Sequence, residues 1–291
     1  MKRTDQGHLI TTAMTDPGLS GKNNEDRFSI TTYQSGTSDM TPVLLAVLAD
    51  GIGGHRAGEI AADIVVKRVS QHIAQSSELT LPSMLIEAMH LASQEVYIAA
   101  SNDTRLYGMG ATCVAALILG DRLYIAAVGD SRIYHIRDKS IQQVTIDHTW
   151  IQEALDMGLL RPEQVNNHPN AHVIRRYMGS PSPPVVDVRL RLSSNEQDEE
   201  MLGNQGYKLE PHDRIILCSD GLTDLVSDHE IRNAFQRRAI QDAVQYLINL
   251  ANQRGGYDNI TLIAIQVPES VQQTKRKRPW LWGETGMGLP R

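Results

Sequence analysis

Three apolar runs in this chain end in an aspartate beside a very small residue. Pro42–Ala49 leads into Asp50-Gly51, Leu123–Val128 into Gly129-Asp130-Ser131, and Arg214–Ser219 into Asp220-Gly221. A fourth unit reverses the order, with Asp258-Asn259 opening the run Ile260–Ile265. Apolar runs of this length, closed by Gly or Asp, read as buried strands. If these ends meet, four carboxylates share one small volume, and like charges repel there unless a cation offsets them. Hard divalent cations such as Mg2+ and Mn2+ take oxygen ligands of this kind. A lone Asp-Gly is more often a turn. Its repetition, together with an upstream Asn24-Glu25-Asp26, points to a carboxylate metal site built on a sheet.

Periodicity supplies the elements that must position these residues. His8–Thr15 and Arg27–Tyr33 read as strands around a turn holding Pro17, Gly18 and Gly21. A helix is predicted over Gly58–Gln75, with Ile60, Ile64, Val65, Val69 and Ile73 on its apolar face. A second spans about Leu81–Ala100, with Thr80 as N-cap and Pro82 in its first turn. Ala111–Leu119, Leu123–Val128, Arg132–Ile136 and Ile141–Thr145 have short polar connections, which suit one antiparallel meander. Residues 148–184 change character and read as an irregular insertion over the sheet edge, rich in His, Asn and Pro. Val185–Leu192 alternates like a strand, and Ser193–Tyr207 reads as a solvated loop. Helices over Asp228–Phe235 and Ala239–Gln253 precede a last strand ending near Val267. Segregated strands and helices predict antiparallel sheets with helices packed outside.

Composition narrows the function classes. The chain has 291 residues and a formal net charge of −6, which argues against general nucleic-acid binding. No apolar stretch is long enough for a transmembrane segment, and Met1–Gln6 lacks the apolar core of a signal peptide. Cys113 and Cys218 sit in apolar runs and read as reduced core residues of a cytoplasmic protein. The segment 269–291 holds Lys275-Arg-Lys-Arg278 and Trp280, and reads as a disordered basic tail. Four charges there are weak grounds for an anionic lipid or acidic partner.

Taken in order, Asn24-Glu25-Asp26, Asp50-Gly51-Ile52-Gly53-Gly54-His55, Gly129-Asp130-Ser131, Ser219-Asp220-Gly221 and Asp258-Asn259 resemble the metal-dependent protein phosphatases of the type 2C class, the PPM family, in their compact bacterial form. Thr15-Asp16-x-Gly18, Ala57-Gly58-Glu59, Gly110-Ala111-Thr112, Asp147-His148-Thr149 and Ile174-Arg175-Arg176 extend the match over about residues 8–267. The resemblance implies an α+β fold, a four-layer α-β-β-α sandwich of two antiparallel sheets flanked by helical pairs. It implies one phosphatase domain over 1–268, with the insertion as a flap. It also implies two tightly bound Mg2+ or Mn2+ ions and a third, weaker one. Asp50 would bridge the pair, the Gly51 carbonyl would bind one ion, and Asp220 and Asp258 would complete the other. Glu25 and Asp26 would lie on the remaining side, as ligands or as acceptors for water. Asp130, with Asp220, matches the third site. Two bridged cations activate water for in-line attack on phosphorus, so neither cysteine is needed as nucleophile. His55 is a candidate general acid, or equally a polar residue that only orients water.

The implied activity is hydrolysis of phosphoserine or phosphothreonine in proteins, with a Ser/Thr kinase or its substrates as the partner. A phosphatase-like sensing module and a phosphatase of small esters are the alternatives. One position departs from the family. Where the family carries a phosphate-gripping arginine, three residues before Asn24, this chain has Gly21. Lys22 and Arg56 are the candidate substitutes, though a lysine offers a point charge rather than a bidentate fork. Weaker phosphate binding is expected in consequence.

Overall fold

The computed structural model describes residues 1–5, 7–21, 23–36, 40–53, 57–76, 80–165 and 168–269. In chain order the strands are β1 (Lys2–Arg3), β2 (Ile10–Asp16), β3 (Arg27–Gln34), β4 (Pro42–Ala49), β5 (Gly51–Ile52), β6 (Gly110–Ala111), β7 (Cys113–Leu119), β8 (Arg122–Val128), β9 (Arg132–Arg137), β10 (Ser140–Gln143), β11 (Tyr207–Lys208), β12 (Arg214–Cys218) and β13 (Ile260–Gln266). The helices are α1 (Ala57–Gln75), α2 (Ser83–Asn102), α3 (Trp150–Asp156), α4 (Asp198–Gly203), α5 (Asp220–Thr223), α6 (Asp228–Arg237) and α7 (Ile240–Gln253). One sheet runs β1-β3-β4-β7-β8-β11 and the other β10-β9-β12-β13-β2, and β5 pairs with β6 in a small ribbon. The pairings are antiparallel.

Strand alternation divides the interior into three apolar layers. Along β4, Val43, Leu45, Val47 and Ala49 face α1 and α2, whereas Leu44, Ala46 and Leu48 face the second sheet. Successive residues of a strand point to opposite faces, so a continuous apolar run fits a strand buried on both sides. In the second sheet Ile215, Leu217, Ile263 and Ile265 meet the first sheet. Ile216, Cys218, Leu262 and Ala264 instead pack against α6 and α7, through Phe235, Val244 and Leu247. The layers are therefore α-β-β-α. Leu44, Leu45 and Leu48 have no exposed surface, and truncating one such leucine to alanine costs about 2–5 kcal/mol.

Five sequence expectations need correction. The four-strand meander is split: β7 and β8 lie in the first sheet, β9 and β10 in the second. The chain crosses between sheets at Gly129-Asp130-Ser131, where Gly129 has φ +105° and an added Cβ would meet Thr112 at 2.6 Å. Ile60 is 40% exposed, because α1 seats Ala57, Ala61, Ala62 and Val65 toward its neighbours instead. Thr80 does not cap α2; Pro82 holds the N-cap position without a side-chain bond. Val185–Leu192 makes one bridge, Asp187 to Ala127, rather than a strand. Its pattern comes from Val186 and Val188 reaching the helix-covered core while Leu190 reaches the core between the sheets. Ser193–Tyr207 is not a plain loop, since it contains α4. Of the expected tail, residues 270–291 lie outside the described residues.

Candidate active site

Register brings the acidic motifs to one end of the sandwich. In the first sheet Arg27 pairs with Ala49, Leu48 with Val114, and Cys113 with Val128. Glu25-Asp26, Asp50 and Gly129-Asp130 are thus the next residues beyond adjoining strand ends. In the second sheet Cys218 pairs with both Arg132 and Leu262, and Ile260 with Asp16. Asp220 and Asp258 therefore emerge at the same end.

Glu25, Asp50, Gly51, Asp220 and Asp258 line one open pocket of about 1130 Å³. Asn259 locks its near wall: its Oδ1 accepts from Glu25 N at 2.8 Å and its Nδ2 donates to Pro17 O at 3.0 Å. Thr112 holds Asp50 by its backbone, with Asp50 N donating to Thr112 Oγ1 at 3.0 Å and Thr112 N to Asp50 O at 2.8 Å. Gly51 lies so close to α1 that a Cβ there would sit 2.3 Å from Gly58 O. The glycine is thus required by backbone packing against the helix.

Asp26 lies buried behind the pocket, where Ser219 Oγ donates to its Oδ2 at 2.7 Å and accepts from Thr261 N at 3.0 Å. Asp130 is buried at the crossover between sheets. Oδ1 of Asp26 and Oδ1 of Asp130 are buried with no hydrogen-bond partner among the described residues.

These carboxylates resist ionisation together. Burial, reinforced by Asp220 and Asp258 and opposed by the Thr261 and Ser219 hydroxyls, pushes Asp26 up to about 7. Burial with the charges of Asp220 and Asp147 raises Asp130 to about 8. Burial, Asp224 and Asp258 raise Asp220 to about 6. Asp50 lies well above the usual carboxylate range, through burial and then Asp26, Asp220 and Asp130. Among the described residues no three His, Cys, Asp or Glu side chains close a ready-made metal cage. The donors are instead an open, all-oxygen set with two orphaned buried oxygens. That set fits hard divalent cations whose shells water completes.

Other expectations divide. Lys22, His55 and Arg56 lie outside the described residues. Gly21 is exposed, with φ +74° and open space around it. Cys218 does not share a face with Asp220, because the chain turns into α5 at that aspartate and Cys218 packs under α6 and α7. Burial pushes its thiol up to about 12, which leaves it inert.

The structure adds His172 and Asp224 to the pocket lining, with His172 Nδ1 3.4 Å from Asp224 Oδ2. Asp224 follows Asp220 by one helical turn, a spacing that sequence could have flagged. Nothing around His172 marked it. His148 is buried: its Nδ1 accepts from Gly129 N at 3.0 Å and its Nε2 lies 3.3 Å from Asp187 Oδ2.

With this geometry in place, likeness to known proteins can be weighed. Residues 19–260 match the family described as Protein phosphatase 2C. The serine/threonine protein phosphatase PstP of Mycobacterium tuberculosis is 33% identical over 256 residues, covering 88% of this chain and 44% of that protein. The chain thus spans about half the length of that relative. The structure of the S. agalactiae serine/threonine phosphatase superposes with a TM-score of 0.76 at 30% identity, over 89% of this chain and 99% of that one. The catalytic domain of PstP, in complex with two manganese ions, gives 0.70 at 32% identity, over 89% and 97%. A match this long, running through every strand end that carries an acidic residue of the pocket, places the chain in the protein phosphatase 2C family.

Proposed function

We propose that the chain is a divalent-metal-dependent phosphatase that removes phosphate from phosphoserine or phosphothreonine in proteins. The observation that carries this reading is the meeting of Glu25, Asp50, Asp220 and Asp258 in one open pocket, with Asp26 and Asp130 buried behind it. Asp50, lining the pocket with Asp220 and Asp258, would be the carboxylate shared by a divalent pair. The Gly51 carbonyl, Asp220 and Asp258 would help to hold the pair. Asp130, sharing Asp220, would hold a third, weaker ion. When bound, a divalent pair supplies an activated water and offsets the charge of the phosphate oxygens. Glu25 and Asp26 would hold water at the site and accept a proton from it. His55 is assigned the protonation of the leaving oxygen, with Lys22 and Arg56 as phosphate contacts.

Manganese in the PstP catalytic domain supports Mn2+ or Mg2+ as the ion. The names of the relatives support phosphoproteins as substrates; a serine/threonine kinase would be the opposing activity. No helix of the described residues is long and apolar enough to cross a membrane. Cys113 and Cys218 are buried and free, which supports a cytoplasmic setting. The sensing-module alternative is disfavoured, since loss of a carboxylate is the simplest route to inactivity and every expected one is present. The test is phosphate release from phosphothreonine and phosphotyrosine peptides, with Mn2+, with Mg2+ and with EDTA. Release should need the cation and favour phosphothreonine. Full turnover by metal-free protein overturns the reading.

A further inference from the structure

The pocket wall is acidic almost throughout. Among the described residues lining it, Glu25, Asp50, Asp220, Asp224 and Asp258 are carboxylates, and His172 is the one basic side chain. His172 belongs to the segment 148–184 and Asp224 to the turn after α5, so two distant pieces of chain deliver this pair to the mouth of the pocket.

The histidine is held in place by its own loop. Ala171 N donates to His168 O at 3.0 Å, Val173 N to Asn170 O at 3.2 Å, and Trp150 N to Val173 O at 2.9 Å. Trp150 stacks on His168 with ring centroids 4.9 Å apart. These contacts fix the backbone on both sides of His172, while its side chain stays 73% exposed and that of Asp224 45%. The Asp224 carboxylate engages Nδ1, and Nε2 has no protein partner among the described residues.

We propose that His172, braced by Asp224, is a substrate-binding residue that contacts the phosphoryl group of the bound phosphoester. The proposal rests on the phosphatase reading of the pocket. A phosphate monoester carries up to two negative charges into a wall of carboxylates, so a positive group at the mouth acts on it strongly. His172 and Asp220 line the same pocket, so the imidazole faces the volume in which the phosphate would be held. The carboxylate of Asp224, 3.4 Å from Nδ1, limits the rotation of the ring.

The experiment compares wild type, His172→Ala and His172→Arg at saturating Mn2+. It measures kcat and KM on a phosphothreonine peptide and on p-nitrophenyl phosphate, and inhibition by inorganic phosphate. Loss of one partly exposed charge contact should raise both KM values and the phosphate inhibition constant about fivefold, with kcat nearly unchanged. His172→Arg should restore them. An unchanged inhibition constant in His172→Ala overturns the proposal, as does a KM rise confined to the peptide, which would mean that His172 reads the polypeptide instead. Absence of Mn2+-dependent turnover in the wild type overturns the phosphatase reading itself, so the two failures are separable.

Discussion

Asp50 is the residue on which the site's electrostatics converge, since Asp26, Asp130 and Asp220 all raise it. Asp50→Asn should abolish turnover, because one neutral amide cannot replace a carboxylate shared by two cations. It should also raise the melting temperature of chelator-treated protein, by about 2 °C for each kcal/mol of repulsion relieved. Near-normal phosphate release by the variant would show that Asp50 is not the bridge. Ser219 supports the site from behind. Ser219→Ala leaves Asp26 Oδ2 and Thr261 N without their hydroxyl partner and should destabilise by about 1–3 kcal/mol in chemical denaturation. A midpoint unchanged from wild type would deny that support. The acidic residues were legible in sequence because each flanks an apolar or strand-like run. Ser219 and Thr112 were not, because a small hydroxyl within a strand motif gives no sign of what it will face. His172 was hidden for another reason: its partner Asp224 lies 52 positions downstream, and only the fold joins them.

At the scale of elements, Gly129 shows why the meander was misjudged. Local pattern identifies strands and short connections, but it does not say whether the next strand stays in its sheet. Here a glycine in the left-handed region lets the chain pass to the other sheet, and His148 clamps the turn: Gly129 N donates to His148 Nδ1 at 3.0 Å and His148 N to Gly129 O at 2.9 Å. Gly129→Ala combines an unfavourable φ with a Cβ pressed 2.6 Å from Thr112. It should cost about 1–3 kcal/mol and weaken cation binding at Asp130 more than in the main pocket. Calorimetric titration with Mn2+ checks this; equal loss at every site would mean that the crossover does not set Asp130 apart. Helices were easier to read than the segment 185–192, whose apolar residues divide between two cores in irregular backbone. Alternation there came from packing on two sides and not from a pleat. Ile60 failed for a related reason, since a helix seated closely against its neighbours turns small residues inward and leaves a larger one at the margin.

For the whole molecule, the acidic end of the sandwich sets how stability depends on pH. In an unfolded chain these carboxyls ionise near pH 4. Folded, Asp220 keeps its proton up to about 6, Asp26 to about 7 and Asp130 to about 8, chiefly because they are buried together. Between those limits the folded state binds more protons than the unfolded one, so stability falls as pH rises. The contribution is complete below about pH 4 and is lost as pH climbs through the folded values. Asp213 behaves oppositely. Burial disfavours its charge, but hydrogen bonds from Arg137 and the nearby His135 ring outweigh that and hold it at about 2. Its contribution is lost only as pH falls from about 4 toward 2, below the range in which the pocket titrates. Chelator-treated protein should therefore melt at progressively lower temperature from about pH 5 to pH 8. Mn2+ or Mg2+ should cancel that decline, because a cation replaces the protons and binds best where the carboxylates are ionised. The gain in melting temperature on adding the ion should be larger at pH 8 than at pH 5. A melting temperature that rises over this range in chelator would mean that the carboxylates are relieved by protein groups alone, and the site would lose its physical claim on a metal.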